Sequence, residues 1–207
     1  MTIQNGIDRL LQLRQKTREA EIEMVTERAR FDAMRENGPT RAISSFNLFQ
    51  TPPDVARQMA AMIGPTAGKR VLEPSAGLGA LYNATDKVGE FVFVEQSAQC
   101  CAELYRLGPK LIQGDFLETT PERLGGLFDL VLMNPPFKMG TDIKHTRHAL
   151  NMLKPGGQLV GLCFDGVRQN KILKPIVDSW EPLPADSFKS EGTRAGVVLI
   201  TIRKPLN

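Results

Sequence analysis

Six short apolar runs, spaced by stretches of helical character, limit what this chain can fold into. They are Arg70-Val71-Leu72, Phe91–Val94, Lys110–Gln113, Leu127–Met133, Gln158–Phe164 and Val197–Ile202. Helices are predicted between them, over about 77–87, 97–106, 142–153 and 168–179, and ahead of them from Pro52 to Ile63. Strands that are apolar on both faces must be covered on both faces. Alternation with helices then specifies an α/β domain built on a largely parallel sheet. Lys154-Pro155-Gly156-Gly157 marks a helix end and a tight turn before the fifth strand. There is no internal repeat and no low-complexity tract.

The 207 residues suit one domain plus an extension. Apolar content of 42% and charged content of 24% exclude a disordered or fibrous chain. Residues 1–46 read as an N-terminal helical extension whose helix stops at Asn37-Gly38-Pro39, and residues 47–207 as the main domain. A packing helix, a dimer contact and a nucleic-acid arm all fit the extension. Cys100, Cys101 and Cys163 have neither disulfide nor metal spacing, so a reducing compartment is expected. No stretch is long and apolar enough to span a bilayer, and Met1–Gly6 lacks a signal-peptide core. A cytoplasmic location and no membrane partner are therefore expected. Charge is uneven: residues 138–207 carry 11 Lys/Arg against 6 Asp/Glu, and the remainder 15 against 17. A basic C-terminal part suits a polyanionic partner.

The fourth run ends in Asn134-Pro135-Pro136-Phe137. Two prolines stiffen the exit from the strand and remove N–H donors. The carbonyls and the Asn134 amide are left as hydrogen-bonding groups, beside a ring on which a flat molecule can stack. Such a site can grip a planar molecule and accept hydrogen bonds from its exocyclic amine. The first run leads into Glu73-Pro74-Ser75-Ala76-Gly77-Leu78-Gly79, where Gly77 and Gly79 permit a tight turn and close ligand approach. Glu95 ends the second run, 22 residues after Glu73, where a carboxylate can hold ribose hydroxyls. Asp115-Phe116 follows the third run and can serve an adenine amine and ring. Glu73 can equally cap the turn, and Glu95 and Asp115 can be ordinary strand-end polar residues. Upstream, in Phe49-Gln50-Thr51-Pro52-Pro53, Thr51 is a predicted N-cap with Pro52 at the first helical position. Asp142 is the predicted cap of the helix after the Asn-Pro-Pro-Phe segment. His145 and His148 share one face of that helix, read as structural or surface residues because no third metal ligand is evident. No metal site is expected. Trp180 is expected in core or rim packing.

Taken together, these residues resemble the class I S-adenosylmethionine-dependent methyltransferases, specifically the amino-group N6-adenine branch. Leu72–Gly79 resembles that family's first motif, and Phe49–Pro53 the segment near the methionine end of the cofactor. Asn134-Pro135-Pro136-Phe137 matches the catalytic motif, and Ser187–Arg194 is similar to a loop of small phage- and plasmid-type members. The resemblance implies a Rossmann-like methyltransferase fold: a mostly parallel seven-stranded sheet with helices on both faces. It implies S-adenosyl-L-methionine as cofactor, held by Phe49, Gln50, Thr51, Glu73, Pro74, Ser75, Ala76, Gly77, Gly79, Glu95, Gln96, Asp115, Phe116 and Asn134. It implies methyl transfer to an exocyclic nucleobase amine, with N6 of adenine in DNA ahead of adenine N6 or guanine N2 in RNA, and with Asn134, Pro135, Pro136 and Phe137 as catalytic residues. A protein glutamine methylase and a non-catalytic cofactor-binding subunit are further alternatives. Lys138, Lys144, Arg168, Lys171, Lys189 and Arg194 are candidate phosphate contacts. No insertion is large enough for a separate target-recognition region, which leaves a homodimer or a separate specificity partner open.

Overall fold

The computed structural model describes residues 49–188 and 196–206. The expected helical extension over residues 1–46, with Lys189, Arg194 and most of the Ser187–Arg194 loop, lies outside the described residues. Seven strands form one sheet: β1 (Arg70–Pro74), β2 (Glu90–Glu95), β3 (Lys110–Gln113), β4 (Phe128–Met133), β5 (Leu153–Phe164), β6 (Ser179–Pro182) and β7 (Val197–Arg203). Their order is β3-β2-β1-β4-β5-β7-β6. The pairs β3–β2, β2–β1, β1–β4 and β4–β5 are parallel, while β7 runs antiparallel to both β5 and β6. This is the expected mostly parallel α/β sheet.

The helices are α1 (Pro53–Ile63), α2 (Ala80–Ala84), α3 (Ala98–Leu104), α4 (Pro121–Leu124), α5 (Thr141–Met152) and α6 (Val167–Ile172). The two faces of the sheet bury different residues of the same strands, as the two-residue side-chain period requires. One face packs Val71, Phe93, Leu130 and Leu132 with Val55, Met59 and Ile63 of α1. The other packs Leu72, Val92, Val94 and Val131 with Ile143, Ala149 and Met152 of α5. Each such fully buried side chain contributes about 1.5–3 kcal/mol of apolar transfer free energy.

Several boundaries differ from expectation, each for a local reason. The helix expected over 77–87 begins only at Ala80, because Gly77 and Gly79 hold left-handed φ values of 56° and 76°. The helix expected over 168–179 ends at Ile172, then gives a short 3-10 turn at Lys174–Ile176 and the unforeseen strand β6. Pro175 has no N–H with which to continue the helical ladder. Trp180 therefore lies on a strand, half-buried against the α5 face of the core. The Lys154–Gly157 turn is absorbed into β5. Its extra residues account for a register shift opposite Phe128 and Leu130, and Gly156 sits at φ 77°. Finally, α1 starts at Pro53, one residue late, and no side chain caps it.

Candidate active site

Strand order reverses between β1 and β4, which pair through Val71–Leu130 and Leu72–Val131. Chains leaving the carboxyl ends of two such strands diverge and open a crevice between them. Here β1 feeds the Gly-rich turn and β4 feeds Asn134-Pro135-Pro136-Phe137. The cleft between them holds about 520 Å³, within the range of small-molecule sites.

Of the residues singled out from the sequence, the cleft is lined by Phe49, Gln50, Thr51, Glu73, Ser75, Ala76, Gly77, Glu95, Gln96, Asp115, Phe116, Asn134, Pro135, Pro136 and Phe137. Pro74 and Gly79 do not line it. Pro74 closes β1, and Gly79 packs behind the turn, where an added Cβ would meet Leu107 Cδ1 at 2.5 Å. Thr141, Lys144 and His145 of α5 also line the cleft.

The Asn134 amide is held from one side. Its Nδ2 donates to the Phe49 carbonyl at 3.1 Å and to Thr51 Oγ1 at 3.0 Å. A carbonyl can only accept, so the amide nitrogen must face Phe49, and this fixes the amide's orientation. Oδ1 is thereby left as the acceptor that the side chain contributes to the cleft. Thr51 is buried and spends its hydroxyl here rather than on capping α1.

The opposite wall is acidic. Glu95 accepts from Gly77 N–H at 2.8 Å through one oxygen and from Ser97 N–H at 2.7 Å through the other. It thus ties the Gly-rich turn to the start of α3, in addition to any role toward ribose. Glu73 is 1% exposed and accepts from Tyr82 N–H at 3.1 Å. Burial, reinforced by the nearby Glu95 carboxylate, pushes its pKa up to about 8. Asp115 accepts from Leu117 N–H at 2.9 Å and caps a 3-10 turn at Phe116–Glu118. The Phe116 ring is buried against His145 and His148, with centroids 5.4 and 4.8 Å away, so most of its surface is spent on α5.

The two histidines diverge in role. His148 Nε2 meets the Thr119 carbonyl at 3.1 Å and is structural. His145 is 5% exposed, lines the cleft, and lies with Nδ1 3.4 Å from Ser75 Oγ. Burial pulls its pKa down to about 4, against the opposing pull of Asp115. Spacing alone marked both residues alike; only burial separates them. Ser75 is itself a non-glycine residue at φ 58°, a backbone state that costs of order 1 kcal/mol and tends to mark functional turns. Among the described residues, no three His, Cys, Asp or Glu side chains converge as a metal set, and no helix is long and apolar enough to cross a membrane.

Asp142 does not cap α5; Gly140 occupies that position. Fully buried, Asp142 accepts from Phe164 N–H at 3.0 Å and from Gln169 Nε2 at 3.1 and 2.9 Å. It therefore locks the segment after Phe137 to the end of β5 and to α6.

No family model matches the chain. An rRNA N(6)-adenosine-methyltransferase of Caenorhabditis elegans, metl-5, is 25% identical over 156 residues, covering 67% of this chain and 72% of that one. Among solved structures, a Pyrococcus horikoshii protein described as an RNA methyltransferase superposes with a TM-score of 0.61 at 18% identity, over 82% of this chain and 93% of that one. The methyltransferase subunit of a type I restriction-modification system from Streptococcus thermophilus gives 0.63 at 20% identity, over 75% of this chain and 44% of that one. This chain thus spans less than half of that subunit. The fold is that of the Rossmann-like methyltransferases.

Proposed function

We propose that this chain is an S-adenosylmethionine-dependent methyltransferase acting on the exocyclic amine of a nucleobase, N6 of adenine. The observation that carries the reading is the Asn134 amide, clamped by Phe49 and Thr51 so that its oxygen serves the cleft as an acceptor. An amine enters such a site by donating, and Asn134 Oδ1 with the Pro135 carbonyl can accept hydrogen bonds from its two N–H groups, one proton leaving to solvent after transfer. The nitrogen lone pair is then drawn out of conjugation with the ring and becomes nucleophilic. Phe137, half-buried at the cleft wall, offers the face on which the base stacks. Positioning and electrostatic arrangement supply the rate enhancement.

The cofactor reading rests on the donor set. Glu95 and Asp115 give the cleft two carboxylates, and Glu73 a carboxyl group that burial keeps protonated at neutral pH, against one lysine, Lys144. Such a lining suits a cationic ligand rich in N–H and O–H donors, and it opposes the pyrophosphate of a dinucleotide. When bound, S-adenosylmethionine supplies an electrophilic methyl group. Phe49–Thr51, Glu73, Ser75–Gly77, Glu95, Gln96 and Asp115 are the residues that would hold it.

DNA is the polymer favoured by the sequence resemblance. RNA is the second reading. It is supported by the rRNA-modifying relative and by the near-complete coverage of the Pyrococcus protein. Transfer of labelled methyl to unmethylated DNA and to total RNA, followed by digestion to nucleosides, tests the proposal. N6-methyladenine in either polymer is the expected product. Label in protein alone, or cofactor binding with no transfer, would refute it.

A further inference from the structure

Two residues beyond Phe137, the chain makes an unfavourable choice twice at one position. Met139 takes a left-handed conformation, φ 57° and ψ 22°, and its side chain is 83% exposed. A non-glycine residue there costs backbone energy, and a large apolar side chain in water gains nothing in return. The conformation is nonetheless built in. Gly140 follows, also left-handed at φ 74°, and an added Cβ there would come within 3.1 Å of Arg168 Nη1. Arg168 Nη1 donates to the Met139 carbonyl at 3.4 Å, and Thr141 Oγ1 donates to the Lys138 carbonyl at 2.7 Å. The buried Asp142–Gln169 hydrogen bonds fix α6, which carries Arg168, against the same turn. Val167, at the start of α6, is a second exposed apolar residue, at 88%.

The surroundings of Met139 are basic. Lys138, Lys144, Arg168 and Lys171 are all exposed, and Lys144 also lines the cleft. An exposed apolar tip on a fixed turn, flanked by Lys138 and Arg168 and two residues beyond the cleft-lining Phe137, matches one partner chemistry: a stacked nucleic-acid strand. Apolar side chains inserted at base steps unstack them, and a base must leave its stack before its amine can reach an enclosed site.

We propose that Met139 is a wedge that enters the base stack beside the target nucleotide, while Lys138, Lys144 and Arg168 engage the flanking phosphates. The inference rests on the nucleobase reading above and adds how the base is delivered. Met139 takes no part in the chemical step, so its contribution depends on how firmly the base is stacked.

Met139→Gly is the informative substitution, because glycine adopts the left-handed conformation without a Cβ penalty and the variant loses only the side chain. Its melting temperature is expected to equal or exceed that of wild type, and its affinity for S-adenosylmethionine to be unchanged. Initial rates would be measured on native plasmid DNA and folded total RNA, and on the same polymers fragmented and heat-denatured. On native polymer the variant should be about tenfold slower or worse, and on unpaired fragments less than about threefold slower, since extrusion is easiest for unpaired bases. Met139→Leu should restore the native-polymer rate. Equal losses on both forms, or no loss on native polymer, would overturn the wedge. Should wild type methylate neither polymer, the nucleobase reading fails and the wedge with it. Activity of wild type on native polymer, matched by the glycine variant, sinks the wedge alone.

Discussion

Thr51→Val is the sharpest test of how the site works. The substitution keeps the buried shape of residue 51 and removes one atom, the Oγ1 that accepts from Asn134 Nδ2 at 3.0 Å. The amide then retains only the Phe49 carbonyl at 3.1 Å. One neutral hydrogen bond is worth about 0.5–1.5 kcal/mol net. If that energy serves to hold Oδ1 in position, the methyl-transfer rate should fall by about 2- to 12-fold, since 1.4 kcal/mol corresponds to a factor of ten. Asn134→Ala removes the acceptor itself and should cost about 10²–10³-fold, the scale seen when one preorganised transition-state contact is deleted. Single-turnover transfer measures both, and calorimetric titration of S-adenosylmethionine should show near-wild-type affinity in Asn134→Ala. The decisive comparison is the double variant. Thr51→Val should add nothing to the rate loss of Asn134→Ala, because Thr51 acts through that amide. A full additional loss in the Asn134→Ala background would refute the clamp, and a loss of cofactor affinity matching the loss of rate would refute the division of roles.

Stability should fall with rising pH because of Glu73. Its folded pKa of about 8 lies above the ordinary 4.5, so the folded chain holds the proton more tightly. The associated stability is full below pH 4.5 and lost as pH rises through about 8, at no more than about 1.4 kcal/mol per pH unit. Glu73→Gln should flatten that dependence in urea titrations at pH 6 and 9; an unchanged slope would contradict the assignment. His145 acts at the other end: its folded pKa of about 4 lies below the ordinary 6.5. The stability from keeping it neutral is present above pH 6.5 and lost as pH falls through about 4. His145→Gln should weaken this acid limb, read as the shift in thermal midpoint between pH 7 and 5. Gly79→Ala meets both a left-handed φ of 76° and Leu107 at 2.5 Å, and should destabilise the fold by about 1–3 kcal/mol, seen as a lower urea midpoint. Nucleic-acid affinity should fall steeply with salt, and Lys144→Ala should reduce the slope of log K against log salt by about one.

The sheet was legible because its strands are apolar on both faces, a pattern that helices interrupt cleanly. Strand β6 was not, since Ser179-Trp180-Glu181-Pro182 is an edge strand, only partly buried and paired with β7 alone. The positions of the site residues were largely readable, because glycine and proline constrain the backbone locally. Their partners were not. A threonine before two prolines reads as a cap whether its hydroxyl serves its own helix or, as here, an amide 83 residues away. Asp142 misleads in the same way, since beyond the Ile143 N–H of its own helix its carboxylate serves Phe164 and Gln169. His145 and His148 differ only in what packs over them, and no local pattern records that.

The reach of the Asn134 hydrogen bonds has a consequence for how the chain acquires activity. Their partners lie 85 and 83 residues earlier, with α1, β1, β2 and β3 in between. Contacts of such sequence separation carry a large loop-closure entropy and are favourable only once the intervening sheet exists. No local nucleus can orient this amide ahead of the rest. During refolding, secondary structure and sheet burial should recover before turnover does, so the catalytic group is completed among the last events of folding rather than inherited from an early one.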